Sequence, residues 1–210
     1  MISLVTGASP QEVRAYFAEL SEDRELAEHI VNDARAGPYR AFCDPRADFG
    51  RRMGWYAIAR STKPRVVVET GVDKGLGSVV LAAALLRNGA GRLYCTELKK
   101  GKGHLLSGRY ARVGEILFGD SIESLSGFPH KIDLFVSDSD HSCDYECREY
   151  RAVAGKLSNH GIIVADNAHV TDCALQFSEA TGRRFIFWRE QPEKHWYRGG
   201  GIGLSYPASP

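Results

Sequence analysis

The sequence predicts an α/β protein: a doubly wound, mostly parallel seven-stranded sheet with a C-terminal antiparallel hairpin and a group of helices at the N-terminus. Three observations carry this expectation. From Arg65 onward, short apolar and β-branched runs alternate with helical patterns, as in parallel strands joined by right-handed crossovers. Most of those runs end in an acidic or polar residue followed by a turn. The last two runs are separated by a turn-rich segment, which suits an antiparallel pair.

Each element follows from its local pattern. Ser9-Pro10-Gln11-Glu12 is a capping box with proline at the first helical position, and Val13, Tyr16, Phe17 and Leu20 then form one apolar stripe. Ser21 suits the cap of a second helix carrying Leu26, Ile30 and Val31, which Gly37-Pro38 would stop. A third helix fits Phe49 to Arg60. Residues 1–60 therefore read as a helical cover or lid within the same domain, and residues 61–210 as the ligand-binding core. In that core, Arg65–Glu69 reads as a strand buried on both faces, followed by a glycine-rich turn and an apolar helix from Ser78 to Arg87. Leu93–Glu97, Glu115–Phe118, Asp133–Ser137 and Gly161–Ala165 are the next strands, with helices near Tyr145–Leu157 and Val170–Ala180. Arg184–Trp188 and Ile202–Tyr206 form the expected hairpin.

Composition narrows the function classes. The 210 residues are 43% hydrophobic and 25% charged, the balance of a globular domain with a sizeable core. Twenty-seven basic and 26 acidic side chains leave a formal charge of +1, so no strong field selects nucleic acid or an anionic membrane. The expected partner is a small molecule, with a homodimer as a further possibility. Five cysteines (Cys43, Cys95, Cys143, Cys147 and Cys173) contain no C-x-x-C pair and read as reduced intracellular thiols. Cys143 and Cys147 are one helical turn apart, yet two thiols do not make a zinc site. No basic segment followed by a long apolar run marks a signal peptide, and a cytoplasmic location is expected.

In open α/β sheets, ligands bind beyond the carboxyl ends of the strands. The first such end is Glu69-Thr-Gly71-x-x-x-Gly75-x-Gly77-Ser78, where glycines allow a sharp turn and close approach of the backbone to a ligand. The spacing is neither the G-x-G-x-x-G dinucleotide fingerprint nor the phosphate loop. Glu97, ending the second strand, can accept both hydroxyls of a ribose. Asp120 and Ser121, after the third, can bond a purine edge, although Asp120 equally suits the N-cap of a helix over Ser121–Leu125. A glycine loop with a ribose acid and no phosphate cradle suggests an adenosine ligand lacking a triphosphate. Ser137-Asp138-Ser139-Asp140-His141 and Asp166-Asn167 end the fourth and fifth strands.

These motifs, in this order, resemble class I S-adenosylmethionine-dependent methyltransferases over about Arg65 to Tyr206. Val-Val-Glu69-Thr-Gly71-x-x-x-Gly75-x-Gly77 is similar to that family's first motif, and Glu97 to its ribose acid. Asp138-Ser-Asp140-His141 resembles the Asp-Gly-Asp-His segment of O-methyltransferases acting on sugars and natural products, and Asp166-Asn167 the Asp-Asn pair of catechol-type enzymes. The departures are Ser139 in place of glycine and His141 where catechol enzymes carry a catalytic lysine. The resemblance implies a Rossmann-like methyltransferase fold, S-adenosylmethionine as methyl donor, and a small hydroxylated acceptor. It places the cofactor on Glu69, Gly71, Gly75, Gly77, Ser78, Glu97, Asp120, Ser121 and Asp138. It also implies a magnesium ion on Asp138, Asp166 and Asn167.

Physical chemistry supports that metal assignment. Neighbouring strands lie about 4.8 Å apart, so Asp138 and Asp166 on adjacent strands can approach one hard cation. His141 and Asp138 are the candidate catalytic residues, His141 as the base, with Asp140 next in line for that role. Each residue also has a structural role available: Glu69 as a turn cap, Asp166 and Asn167 as caps of a helix from Val170, and His141 as a helix N-terminal residue facing water. His104, His169 and His195 suit surface or core positions. Trp188 and Trp196 suit packing, with Trp196 a possible border of a substrate pocket. Two rival functions are a non-catalytic S-adenosylmethionine- or nucleoside-binding regulator and a nucleotide-dependent oxidoreductase. The glycine spacing argues against the second.

Overall fold

The computed structural model describes residues 1–36, 47–192 and 199–208. Cys43, His195, Trp196 and the stop at Gly37-Pro38 lie outside the described residues.

Among the described residues, four helices precede the sheet: α1 (Ile2–Thr6), α2 (Pro10–Ser21), α3 (Arg24–Ala36) and α4 (Arg52–Thr62). The capping box forms as expected, with the Ser9 hydroxyl accepting from the Glu12 amide and the Glu12 carboxylate accepting from the Ser9 amide. Ser21 does not cap the next helix. It closes α2, and Asp23 takes the capping role by accepting from the Leu26 amide at 3.0 Å. Asp23 directly precedes Arg24, the position from which a side chain reaches the free amides of the first turn.

The core then runs β1 (Val66–Thr70), α5 (Leu76–Asn88), β2 (Arg92–Glu97), β3 (Gly114–Phe118), α6 (Ser121–Gly127), β4 (Ile132–Ser137), α7 (Cys143–Ala154), β5 (Leu157–Ala165), α8 (Cys173–Ala180), β6 (Arg184–Arg189) and β7 (Gly201–Tyr206). The sheet order is β3-β2-β1-β4-β5-β7-β6. The first five strands are parallel, while β7 pairs antiparallel with both β5 and β6. The expected hairpin therefore exists, and its second strand is the one inserted beside β5. That order follows burial: every residue of β7 is buried, whereas β6 is half exposed at the edge.

Helices cover both faces. On one, α5 is apolar on all sides because it is sandwiched between the sheet and the N-terminal helices; Val79 to Leu85 are all buried. Leu20, Leu26, Trp55 and Tyr56 belong to this same core. On the other face, Val68, Phe135 and Ile163 of the sheet pack with Tyr150 and Val153 of α7 and Cys173 and Ala174 of α8.

The expectation that all thiols stay reduced is not met. Cys147 of α7 and Cys173 of α8 form a disulfide, while Cys95 and Cys143 are free. The pair is 26 residues apart in sequence, and only the packing of α7 against α8 brings the two together.

Candidate active site

The carboxyl ends of β1, β2 and β4 and the turn after β3 open into a cleft of about 370 Å³. Gly71, Glu97, Asp120, Ser121 and Asp138 line it, together with Asp73, Ser139, Asp140 and Tyr145. Both oxygens of Glu97 are held by backbone amides, one by Asp73 at 3.0 Å and one by Lys99 at 2.9 Å. This fixes the carboxylate at the tip of β2 and leaves lone pairs for a ligand's hydroxyls. Asp120 does two things: one oxygen caps α6 through the Glu123 amide at 3.0 Å, and the other accepts from the Tyr145 hydroxyl at 2.9 Å.

Four of the sequence-predicted cofactor residues sit behind the cleft rather than on it. Glu69 is 1% exposed, and its carboxylate accepts from the Ser78 hydroxyl and lies 3.5 Å from Cys95 Sγ. Burial pushes its carboxyl up to about 7. A Cβ on Gly77 would stand 2.1 Å from Glu69 Oε1, so the glycine makes room for this buried acid. Gly75, at φ 95°, is the N-cap residue that turns the chain into α5. Gly71 is needed for another reason: at φ 82° its Cβ would meet the Asp138 carbonyl at 2.0 Å, so the ends of β1 and β4 close together only around a glycine.

Glu149 of α7, which sequence reading missed, organises the floor of the cleft. It is fully buried and accepts from four hydroxyls: Thr70 at 3.2 Å, Ser137 at 3.1 Å, Ser139 at 2.8 Å, and Ser121. Burial raises its carboxyl above the ordinary range, and the four hydroxyls act against that shift.

Beside the cleft, the donor atoms of Asp138, His141 and Asp166 lie within 4.8 Å of one another. His141 is half-buried, with Nε2 3.7 Å from Asp138 Oδ1 and 3.0 Å from the Asn167 side-chain amide. The neighbouring Asp138 raises its pKa above the ordinary 6.5. Asp166 is completely buried, and both its oxygens lack hydrogen bonds. Burial, then the charge of Asp138, pushes its carboxyl upward. Asp166 and Asn167 do not cap a helix, since α8 starts only at Cys173 with Asp172 before it. Asp140, at the cleft, accepts from the Ser142 amide at 2.7 Å and is not part of the cluster.

Two arginines complete the cluster, and no motif announced them. Arg51, at the start of α4, places its guanidinium 2.6 Å from Asp166 and 3.6 Å from Glu190. Arg52 stands 3.6 Å from Asp138 and over the Trp55 ring. Their distance in sequence from both aspartates hides the juxtaposition. The donor set still fits a hard divalent cation: two clustered carboxylates, one completely buried and paired with a guanidinium, next to an amide side chain.

A family model described as a methyltransferase domain matches residues 68–168. No curated relative matches the sequence. Among solved structures, the fold is similar to that of a putative O-methyltransferase from Klebsiella pneumoniae (16% identity, TM-score 0.67, covering 88% of this chain and 90% of that one). It is also similar to the O-methyltransferase TomG from Streptomyces achromogenes, a protein of tomaymycin synthesis solved in complex with S-adenosylmethionine (18% identity, TM-score 0.63, 86% and 89% covered). A third is an O-methyltransferase from Bacillus cereus in complex with S-adenosylhomocysteine (15% identity, TM-score 0.65, 89% and 91% covered). The sheet order and these solved structures show the class I methyltransferase fold, and residues 68–168, which carry most of the strand-end residues, match a methyltransferase domain.

Proposed function

We propose that the protein transfers the methyl group of S-adenosylmethionine to a hydroxyl of a small molecule of sugar or natural-product type, assisted by a magnesium-like ion. The observation that carries this reading is the cluster of Asp138, His141 and Asp166 at the edge of the cleft that Glu97 lines. Cofactor-bound neighbours of the same fold support the donor. The cleft carries five carboxylates (Asp73, Glu97, Asp120, Asp138 and Asp140) against two lysines, Lys99 and Lys102, the second paired with Asp73, and this acidic balance suits a cationic sulfonium. In this reading Glu97 accepts the ribose hydroxyls and Asp120 and Ser121 border the base.

Methyl transfer is an in-line displacement at carbon, so positioning and deprotonation of the acceptor dominate catalysis. His141 takes the acceptor proton at Nε2, where Asp138 Oδ1, 3.7 Å away, stabilises the imidazolium that forms. A magnesium-like ion on Asp138, Asp166 and Asn167 would lower the pKa of the acceptor hydroxyl and orient it. Arg51 holds the countercharge of Asp166, so a cation on that carboxylate would compete with the guanidinium. In this reading the acceptor's body occupies the cavity of about 510 Å³ that Ile2, Phe17, Met53, Trp55 and Trp188 line with Arg51, and the share of the N-terminal helices in that lining supports a covering role for them. The small-molecule acceptor is consistent with the near-neutral charge of the chain.

The 2.6 Å ion pair of Arg51 with Asp166 favours a second reading, a metal-independent transfer in which the guanidinium supplies the positive charge. Turnover with a panel of hydroxylated acceptors in chelator separates the two. Suppression by chelator and restoration by magnesium supports the first, and full activity in chelator supports the second.

A further inference from the structure

We propose that Cys143, Cys147 and Cys173 form a thiol–disulfide exchange site that ties redox state to the geometry of the two loops bearing His141 and Asp166. Cys147 and Cys173 are joined, and the exposed, free Cys143 stands with its Sγ 3.3 Å from Cys173 Sγ. All three sulfurs lie within 4.8 Å of one another. Cys143 and Cys147 are one helical turn apart on α7, so both reach the first residue of α8, Cys173. A disulfide with a third sulfur at contact distance is arranged for exchange.

In the step, the Cys143 sulfur attacks Cys173 Sγ. A Cys143–Cys173 bond forms as the Cys147–Cys173 bond breaks, and the electron pair leaves on Cys147, which takes up the proton that Cys143 gave. No oxidant is consumed. The bridge has then moved from the half-buried Cys147 to the exposed Cys143. There an external dithiol can reduce it, becoming a disulfide itself and leaving three thiols on the protein.

The position gives the site its consequence. Cys143 directly follows the loop carrying Asp138 and His141, and Cys173 follows the loop carrying Asp166 and Asn167. The bridge thus staples the starts of α7 and α8, alongside the Thr171 hydroxyl on Glu146 and the Asn167 contact with His141. Reduction releases one of these ties. Its meaning for catalysis rests on the methyl-transfer reading, but the site itself does not.

The test uses the full chain without cofactor or acceptor, so its failure is distinct from failure of the methyl-transfer reading. The oxidised protein is acid-quenched, alkylated in denaturant and mapped by mass spectrometry. Both Cys147–Cys173 and Cys143–Cys173 linkages are expected, and Cys143→Ser should retain only the first and slow reduction by dithiothreitol about tenfold or more. Hydrogen exchange of amides in 138–142 and 166–172 should quicken on reduction. A single Cys147–Cys173 linkage with an unchanged reduction rate in Cys143→Ser would overturn exchange. Unchanged loop protection would overturn the coupling.

Discussion

Glu69 ends a buried strand, and its carboxyl in the folded chain is pushed up to about 7 against an ordinary 4.5. A folded value above the unfolded one means the contribution to stability is present below pH 4.5 and is lost as pH rises to about 7. Glu69→Gln should therefore flatten the pH dependence, with a difference from wild type of up to about 3 kcal/mol between pH 4.5 and 8. Urea unfolding across that range reads it, and parallel curves would contradict it. His141 carries the opposite functional sign. Asp138 raises its pKa, and a base must be neutral, so turnover should rise with pH through a midpoint above 6.5. Asp138→Asn should move the midpoint down, and His141→Ala should lower kcat by roughly 10²–10⁴ while leaving cofactor affinity intact. A pH-independent kcat would place the base elsewhere. At this scale the sequence was informative about which residues sit at strand ends and silent about their directions. Glu97 faces the cleft, while Glu69 in a similar strand-end position faces the protein.

The inward face of α7 joins four elements through one residue. Glu149 receives hydroxyls from the ends of β1 and β4, from the start of α6 and from the β4–α7 loop. Glu149→Ala leaves those hydroxyls unpaired beneath the cleft, with an expected cost of about 2–4 kcal/mol and weaker cofactor binding. Denaturant titration alongside calorimetry tests both, and an effect below about 1 kcal/mol would show the network to be dispensable. The disulfide acts between α7 and α8. Cys173→Ser should cost roughly 2–4 kcal/mol under oxidising conditions and much less under reducing ones. Neither feature was legible beforehand. A mid-helix glutamate in Cys143–Ala154 looks like solvent-facing charge until α7 is docked, and a cysteine pairing depends on helix packing that no spacing reveals. The capping box over Ser9–Glu12 and the apolar α5 were legible because both signals are local.

Across the whole molecule, strand alternation gave the doubly wound core and its polar strand ends, whereas the insertion of β7 between β5 and β6 needed long-range pairing to be seen. The same limit hid Arg51 and Arg52, which the N-terminal helices deliver to aspartates on distant strands. Those helices are also structural: Leu20 and Leu26 are fully buried in the core around α5. Removing residues 1–37 should therefore destabilise the whole chain, and the cover is better probed by Arg51→Ala. That change should strengthen cation binding and leave cofactor affinity unchanged. The central claim is that the acidic cleft binds S-adenosylmethionine through Glu97. Its most direct test is calorimetric titration of the cofactor into wild type, Glu97→Ala and Gly71→Val. The account predicts saturable binding to wild type, a loss of about 1.5–3 kcal/mol in Glu97→Ala, and no binding once the Gly71→Val side chain meets the Asp138 carbonyl. Equal affinity in all three proteins, or binding of NADH in place of S-adenosylmethionine, would contradict it.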